Sequence, residues 1–276
     1  MTETLKPRET STPRQAVATT VFGSHAERLE ETFTSFARNP FLELHAFVIG
    51  DRLPSRRAPG VTYHLEAPDP AYVTPIRDAD YRRWLFIDQL DVDYAMVVDG
   101  VDVLCLQDLP PLPQLLRGAA VAAVVEHAGG RWLEGGIYTS SFLNAGVTVW
   151  NLKQSVPIRH KIAERGLTRY RNDVDDQLAL NEVLHGGHLD ELTILPTIYN
   201  YRVYARTRKF GWATTDRFDG VRIYHTDDCR HVLSAGPFAS APPLTELEPD
   251  PVPASPWLQR WRRLRQRWAT RRAGRL

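Results

Sequence analysis

Along most of the chain, short runs of β-branched and apolar residues alternate with segments whose apolar positions recur at helical spacing. Ala16–Phe22 is the first such run. It ends at Gly23-Ser24, which predicts a buried strand closed by a turn. Ala26–Ala37 places Leu29, Phe33 and Phe36 on one helical face, with acids in its first turns. Phe41–Ile49 and Val61–Leu65 predict two more strands, and Tyr81–Leu90 a helix. Tyr94–Val98 predicts a buried strand ending at Asp99. Val121–Glu126 and Ala145–Trp150 predict further strands, Asp175–Leu184 a helix and Val221–His225 a last strand. Strands separated by helical segments imply parallel strands joined by crossover helices. The predicted class is therefore α/β, with a mostly parallel central sheet covered on both faces. No internal repeat appears at periods of roughly 20 to 50 residues.

The two ends read differently. Residues 1–14 are polar, with Pro7 and Pro13, and are expected to form a disordered lead-in. Six prolines from Pro242 to Pro256 mark residues 239–256 as an extended linker. In residues 257–276, Trp257, Trp261, Leu264 and Trp268 recur at helical spacing and Arg fills most of the rest, which predicts a basic amphipathic helix.

Charge sharpens this division. The 276 residues carry a formal net charge of +1, yet eight Arg and no acid lie from Pro251 to Leu276. That leaves 26 basic and 33 acidic residues, a formal −7, in the first 250 positions. The basic helix suits the interface of an anionic membrane, at its cytoplasmic face. The alternative is that its Trp face packs on the body of the chain or on a second copy in a homodimer. A hydrophobic content of 43% and a charged content of 24% are those of a soluble globular protein. The longest apolar stretch, near Ala119–Val125, is far short of the roughly 20 residues that cross a bilayer. The first residues hold no apolar secretion core. Cys105 and Cys229 can form neither a disulfide framework nor a structural zinc site, so a reducing, cytoplasmic setting is expected.

Four segments carry candidate chemistry. Val97-Val-Asp99-Gly-Val-Asp102 takes an apolar strand directly into two aspartates. Ligands of open α/β sheets bind beyond the carboxyl ends of strands, and two carboxylates there can hold a hard divalent cation. A plain Asp-Gly turn has the same composition. Asn144-Ala-Gly146 puts a polar amide and a residue without a side chain immediately before a predicted strand, which permits close approach of a ligand or makes a turn. Asp173-Val-Asp175-Asp176-Gln177 exceeds what helix capping requires. His225 ends a strand as Asp99 does, and is a candidate third ligand of the cation. There is no Gly-x-Gly-x-x-Gly, no P-loop and no Gly-x-Ser-x-Gly elbow. The acidic body, without a reading motif, argues against nucleic acid as a partner.

In this order, the four segments resemble the GT-A fold glycosyltransferases, closest to glycosyltransferase family 8 and related bacterial sugar transferases. The resemblance runs from about Ala16 to Arg230 and implies one GT-A (Rossmann-like) domain over 15–238. Asp99-Gly-Val-Asp102, trailed by Asp108-Leu, is similar to the family's metal-binding Asp-x-Asp. Asp102 keeps the expected distance to Asp108, and Asp99 lies one residue further out. Phe142-Leu-Asn144-Ala-Gly146 is similar to the segment facing the donor sugar, and Asp176-Gln177 to the pair near the reacting carbon. Tyr199-Asn200-Tyr201 resembles the Tyr-Asn pair before the final strand, and His225 the metal-binding histidine.

The resemblance implies a Mn2+ or Mg2+ ion on Asp99, Asp102 and His225, with Asn144, Asp176 and Gln177 orienting the sugar. It implies a nucleotide pocket lined by Ala18, Thr19, Thr20 and Phe22. The reaction implied is transfer from a nucleoside-diphosphate sugar, UDP in the first instance, with retention of configuration and no obligatory enzyme base. The acceptor would be a glycan, a lipid-linked sugar or a small molecule. The family's Gly-x-x-Lys-Pro-Trp after the histidine is replaced by Thr226-Asp-Asp-Cys-Arg230. Arg230, Arg82 and Arg83 are therefore the candidates to meet the distal phosphate. Specificity is expected in the Gly129–Tyr138 and Tyr204–Asp219 loops. Two other functions fit the same architecture: a metal-dependent nucleotidyltransferase and a non-catalytic nucleotide-sugar binder.

Overall fold

The computed structural model describes residues 12–72, 74–133, 136–168, 175–201 and 220–225. The linker, the basic C-terminal helix, the Tyr204–Asp219 loop, Arg230 and most of the lead-in lie outside the described residues. The strands are β1 (Gln15–Phe22), β2 (Leu42–Ile49), β3 (Val61–Glu66), β4 (Tyr94–Val98), β5 (Val103–Cys105), β6 (Val121–Trp132), β7 (Tyr138–Asn151), β8 (Leu192–Leu195) and β9 (Ile223–His225). The helices are α1 (Glu30–Phe36), α2 (Pro75–Phe86), α3 (Leu112–Leu116), α4 (Val156–Thr168) and α5 (Asp175–His185). Seven strands form one sheet of order β3-β2-β1-β4-β7-β6-β8, and β5 pairs with β9 in a small second sheet.

The period-2 alternation of the strands separates two cores. Ala16, Ala18, Phe47, Ile49, Ala95 and Val97 face α2, α4 and α5. Val17, Val21, Ala46, Val48, Met96 and Val98 face α1, α3 and the β5–β9 sheet. The sheet is thus covered on both faces, as the runs of apolar residues predict. Among the described residues, no helix is long and apolar enough to cross a membrane.

Four expectations change. Ala145–Trp150 lies within β7, which runs antiparallel to both β4 and β6. Only the Leu133–Ile137 stretch joins β6 to β7, too short for a crossover, and the Leu133 amide donates to the Ile137 carbonyl at 2.7 Å. Residues 129–132 are accordingly strand rather than loop. The second helix starts at Pro75 rather than Tyr81, because Thr74 accepts a hydrogen bond from the Arg77 amide and Pro75 takes the first turn. It gives way to a 3-10 turn at Ile87–Gln89. The first helix is likewise divided into a 3-10 turn, Gly23–Arg28, and α1. The short elements α3, β5 and β8, and the longer α4, are additions to the predicted set.

Strand order reverses at β1, since β2 and β3 lie to one side of it and β4 to the other. That reversal opens a crevice beyond the carboxyl ends of β1 and β4, the usual ligand position in such sheets. The buried Thr19 hydroxyl donates to the Val98 carbonyl at 2.8 Å and ties the two strand ends together.

On the far edge of the sheet, His45 of β2 and His64 of β3 meet through their ring nitrogens at 3.0 Å. Burial pushes the imidazoles of both residues below their ordinary value, with His64 adding to the effect on His45. A depressed imidazole stabilises the fold fully only above the unfolded value of about 6.5. Stability is therefore expected to fall as pH drops from 7.5 towards 5.5. Replacing both residues by Val should flatten that slope in urea unfolding followed across pH. An unchanged slope would contradict the assignment.

Candidate active site

Asp99 is the first residue past β4, and its amide donates to the Gly146 carbonyl at 2.9 Å. Asp102 immediately precedes β5. The β5–β9 register sets Val103 opposite His225, so the small sheet carries the histidine to the aspartates. His225 Nε2 lies 3.3 Å from Asp99 Oδ2 and 3.6 Å from Asp102 Oδ2. One ligand atom from each of the three residues falls within 4.8 Å of the others. His225 is buried, and the two aspartates are partly exposed.

The geometry behind this cluster comes from an irregularity in β7. Ala123 pairs with Thr148 and Val125 with Leu143, so a single residue of β6 faces four of β7. The bulge lies just past the end of β4, where Val98 pairs with Val147. There the Gly146 amide donates to Asn144 Oδ1 at 2.8 Å and the Ala145 amide to Gln177 Oε1 at 3.2 Å. A backbone N–H can only donate, so both side-chain amides have one orientation. Asn200 Nδ2 must then donate to Asn144 Oδ1, at 2.7 Å, and Asn200 Oδ1 accepts from His225 Nδ1 at 2.9 Å. The proton of His225 is fixed on Nδ1, which turns the Nε2 lone pair to the carboxylates. On the other side, Asn144 Nδ2 donates to Gln177 Oε1 at 3.1 Å, and Gln177 Nε2 donates to the Glu126 carboxylate.

Only glycine fits at the apex of the bulge. A β-carbon on Gly146 would overlap His225 Cε1 and Asp99 Oδ2, and would lie 2.9 Å from His225 Nδ1. Gly100 is similarly held, with Thr19 Oγ1 3.1 Å from where its β-carbon would be.

Arg83 of α2 is buried beneath the cluster. It donates to Asp99 Oδ1 at 2.5 Å, to Asp176 Oδ2, and to the Ala145 carbonyl at 3.3 Å. Burial opposes both charges, but the ion pairs outweigh it. Asp176 and Asp99 hold the guanidinium above its ordinary value, and Arg83 holds the Asp99 carboxyl well below the usual carboxylate range. Two carboxylates and an imidazole with its lone pair directed at them are a donor set that fits a small divalent cation.

The structure thus brings together Asp99, Asp102, Asn144, Gly146, Asp176, Gln177 and His225, with Arg83 beneath them. Asn144 lies inside a strand rather than before one, and it is the antiparallel course of β7 that carries Asn144 and Gly146 past the end of β4. Of the residues expected to line the nucleotide pocket, Ala18 and Thr19 are buried within β1, whereas Thr20 and Phe22 are partly exposed towards its carboxyl end. Arg82 is engaged with the Ala67 carbonyl and Asp78. Glu126 and the structural role of Asn200 are additions. The one signal for Glu126 is that it ends the apolar run Val121–Val125, as Asp99 ends Tyr94–Val98.

Solved glycosyltransferases share this architecture. The galactosyltransferase LgtC, in complex with donor and acceptor sugar analogues, matches with a TM-score of 0.53 and 17% identity, over 77% of this chain and 87% of its own. Apo WbbM, a bifunctional glycosyltransferase, gives 0.52 and 17%, over 80% of this chain and 46% of WbbM. Apo GlyE of Streptococcus pneumoniae gives 0.53 and 19%, over 78% of this chain and 54% of GlyE. The chain therefore spans about half the length of WbbM and GlyE. No protein-family model and no curated protein matches it. The fold is that of the GT-A glycosyltransferases, as the motif order implies.

The Gly146 geometry makes a direct prediction. Gly146→Ala should weaken Mn2+ binding by about tenfold or more in calorimetric titration, by forcing His225 and Asp99 apart. Wild-type affinity in this variant would mean that the two side chains do not meet over that backbone.

Proposed function

We propose that the protein is a metal-dependent glycosyltransferase that moves a sugar from a nucleoside-diphosphate donor, UDP in the first instance, to a hydroxyl acceptor. The observation that carries the reading is the convergence, at one sheet edge of a GT-A fold, of Asp99, Asp102 and His225 with Asn144, Asp176 and Gln177. Asp99 Oδ2, Asp102 and His225 Nε2 would hold Mn2+ or Mg2+. A bound divalent cation would supply charge neutralisation for the departing diphosphate.

The chain's own groups do the rest by position. Gln177 Oε1 already accepts from Asn144 Nδ2 and the Ala145 amide, so Gln177 meets a ligand through N–H. Asp176, tied to Arg83, supplies acceptor oxygen for a sugar hydroxyl. Together these groups orient the donor sugar, a contribution of positioning rather than bond making. Thr20 and Phe22 would meet the nucleoside where β1 ends. Transfer with retention needs no separate base, and none is assigned. Arg230 is the residue proposed for the distal phosphate, because Arg82 and Arg83 are engaged elsewhere. The acceptor class is a glycan, a lipid-linked sugar or a small molecule. The basic Trp-bearing C-terminal segment would serve a cytoplasmic enzyme by peripheral contact with an anionic membrane.

A thermal-shift panel of nucleotide sugars with and without Mn2+ tests this reading. One donor should raise the midpoint only when the metal is present, and turnover should release nucleoside diphosphate. Pyrophosphate release from a sugar phosphate and a nucleoside triphosphate would instead identify a nucleotidyltransferase. Asp102→Asn should lower metal-dependent transfer on the order of a hundredfold or more with the fold intact. Undiminished transfer would remove the proposed metal site.

A further inference from the structure

We propose that Glu126 is a positioning residue of this site, the acceptor-only end of a one-way hydrogen-bond relay from His225 through Asn200, Asn144 and Gln177. The use given to the relay rests on the metal-dependent reading above. Its geometry is defined by the chain's own groups.

Glu126 follows Val125, which pairs with Leu143, so it sits beside the β7 bulge. β6 is antiparallel to β7, as β4 is, and so points the same way as β4. Glu126 therefore stands towards the sheet edge that carries Asp99. It is half-buried. Every link of the relay donates in the same direction. His225 Nδ1 gives to Asn200, Asn200 Nδ2 to Asn144, Asn144 Nδ2 to Gln177, and Gln177 Nε2 to Glu126. The last group must accept without donating, and a carboxylate does that.

Gln177 is the residue on which this matters. Its Oε1 is demanded by the Ala145 amide and by Asn144 Nδ2, and its Nε2 by Glu126, so all three partners agree on one orientation. An apolar residue at 126 would leave the Gln177 amide anchored at one end only. A donor there would oppose Nε2 and favour a flipped amide, which the Ala145 N–H cannot accommodate. In either case Gln177 loses part of its hold on Asn144, whose orientation then rests on the Gly146 amide alone, so the His225 tautomer reached through Asn200 is less firmly set. Partners beyond the metal ligands typically tune affinity by this route.

The test uses the full chain and Mn2+ alone, with no sugar nucleotide. Three variants are compared: Glu126→Gln, which keeps an acceptor oxygen; Glu126→Leu, which removes it; and Glu126→Lys, which installs a donor. The Gln variant should bind Mn2+ within about threefold of the parent, and the Leu and Lys variants about tenfold more weakly. Long-range 1H–15N spectra should report a His225 proton fixed on Nδ1 in the parent and the Gln variant, and a mixed tautomer in the other two. Parent-like affinity and tautomer in the Leu and Lys variants would overturn the proposal. Equal weakening in all three would also overturn it, since acceptor direction would then be irrelevant. A wrong donor assignment would leave these readouts untouched, so the two failures are distinguishable.

Discussion

Two backbone amides, those of Ala145 and Gly146, can only donate hydrogen bonds, and the site is arranged around that constraint. In a regular ladder they would pair with β6 or β4. The β7 bulge releases them just where β4 has ended, and each takes a side-chain oxygen instead. From those two bonds follow the orientations of Asn144, Gln177 and Asn200 and the tautomer of His225. The bulge carbonyls act in the same place: Gly146 accepts from the Asp99 amide and Ala145 from Arg83. One irregularity in one strand thus organises the Asp99–Asp102–His225 cluster together with Asn144 and Gln177.

Electrostatics imposes a second condition. Three carboxylates, Asp99, Asp102 and Asp176, are gathered at a sheet edge, where partial burial makes like charges costly. Arg83 answers this by bridging Asp99 and Asp176 from below, which leaves Asp99 Oδ2 directed at His225. Removing the arginine alone would strand the buried Asp176 and the partly buried Asp99 carboxylates, an effect that is generally worse than never having had the pair. The acidic character of the first 250 residues is therefore, in part, a property of the site rather than only of the surface.

Much of the sheet is legible from short apolar runs. β1, β2 and β4 follow from Ala16–Phe22, Phe41–Ile49 and Tyr94–Val98, whose residues alternate between the two cores. The direction of β7 is not, because an apolar run carries no sign of direction and the short β6–β7 connection lies within the Gly129–Tyr138 stretch expected to be a specificity loop. The start of α2 was present in the sequence as Thr74-Pro75 but was outweighed by the apolar spacing further along. At the site, Asp99, Asp102 and His225 were recognisable because each ends or follows an apolar run. Glu126 and the role of Asn200 emerge only from a hydrogen-bond path across β6, β7, α5 and β9, which no local pattern encodes.

This path turns His225 Nε2 towards the Asp99 and Asp102 carboxylates, where the proposed function places one cation. Anomalous diffraction at the manganese edge, from crystals grown with Mn2+ and a nucleoside diphosphate, tests it most directly. The account predicts a peak bounded by Asp99 Oδ2, the Asp102 carboxylate and His225 Nε2, with the diphosphate on the open side. A peak elsewhere, or a His225 ring turned to offer Nδ1, would contradict it.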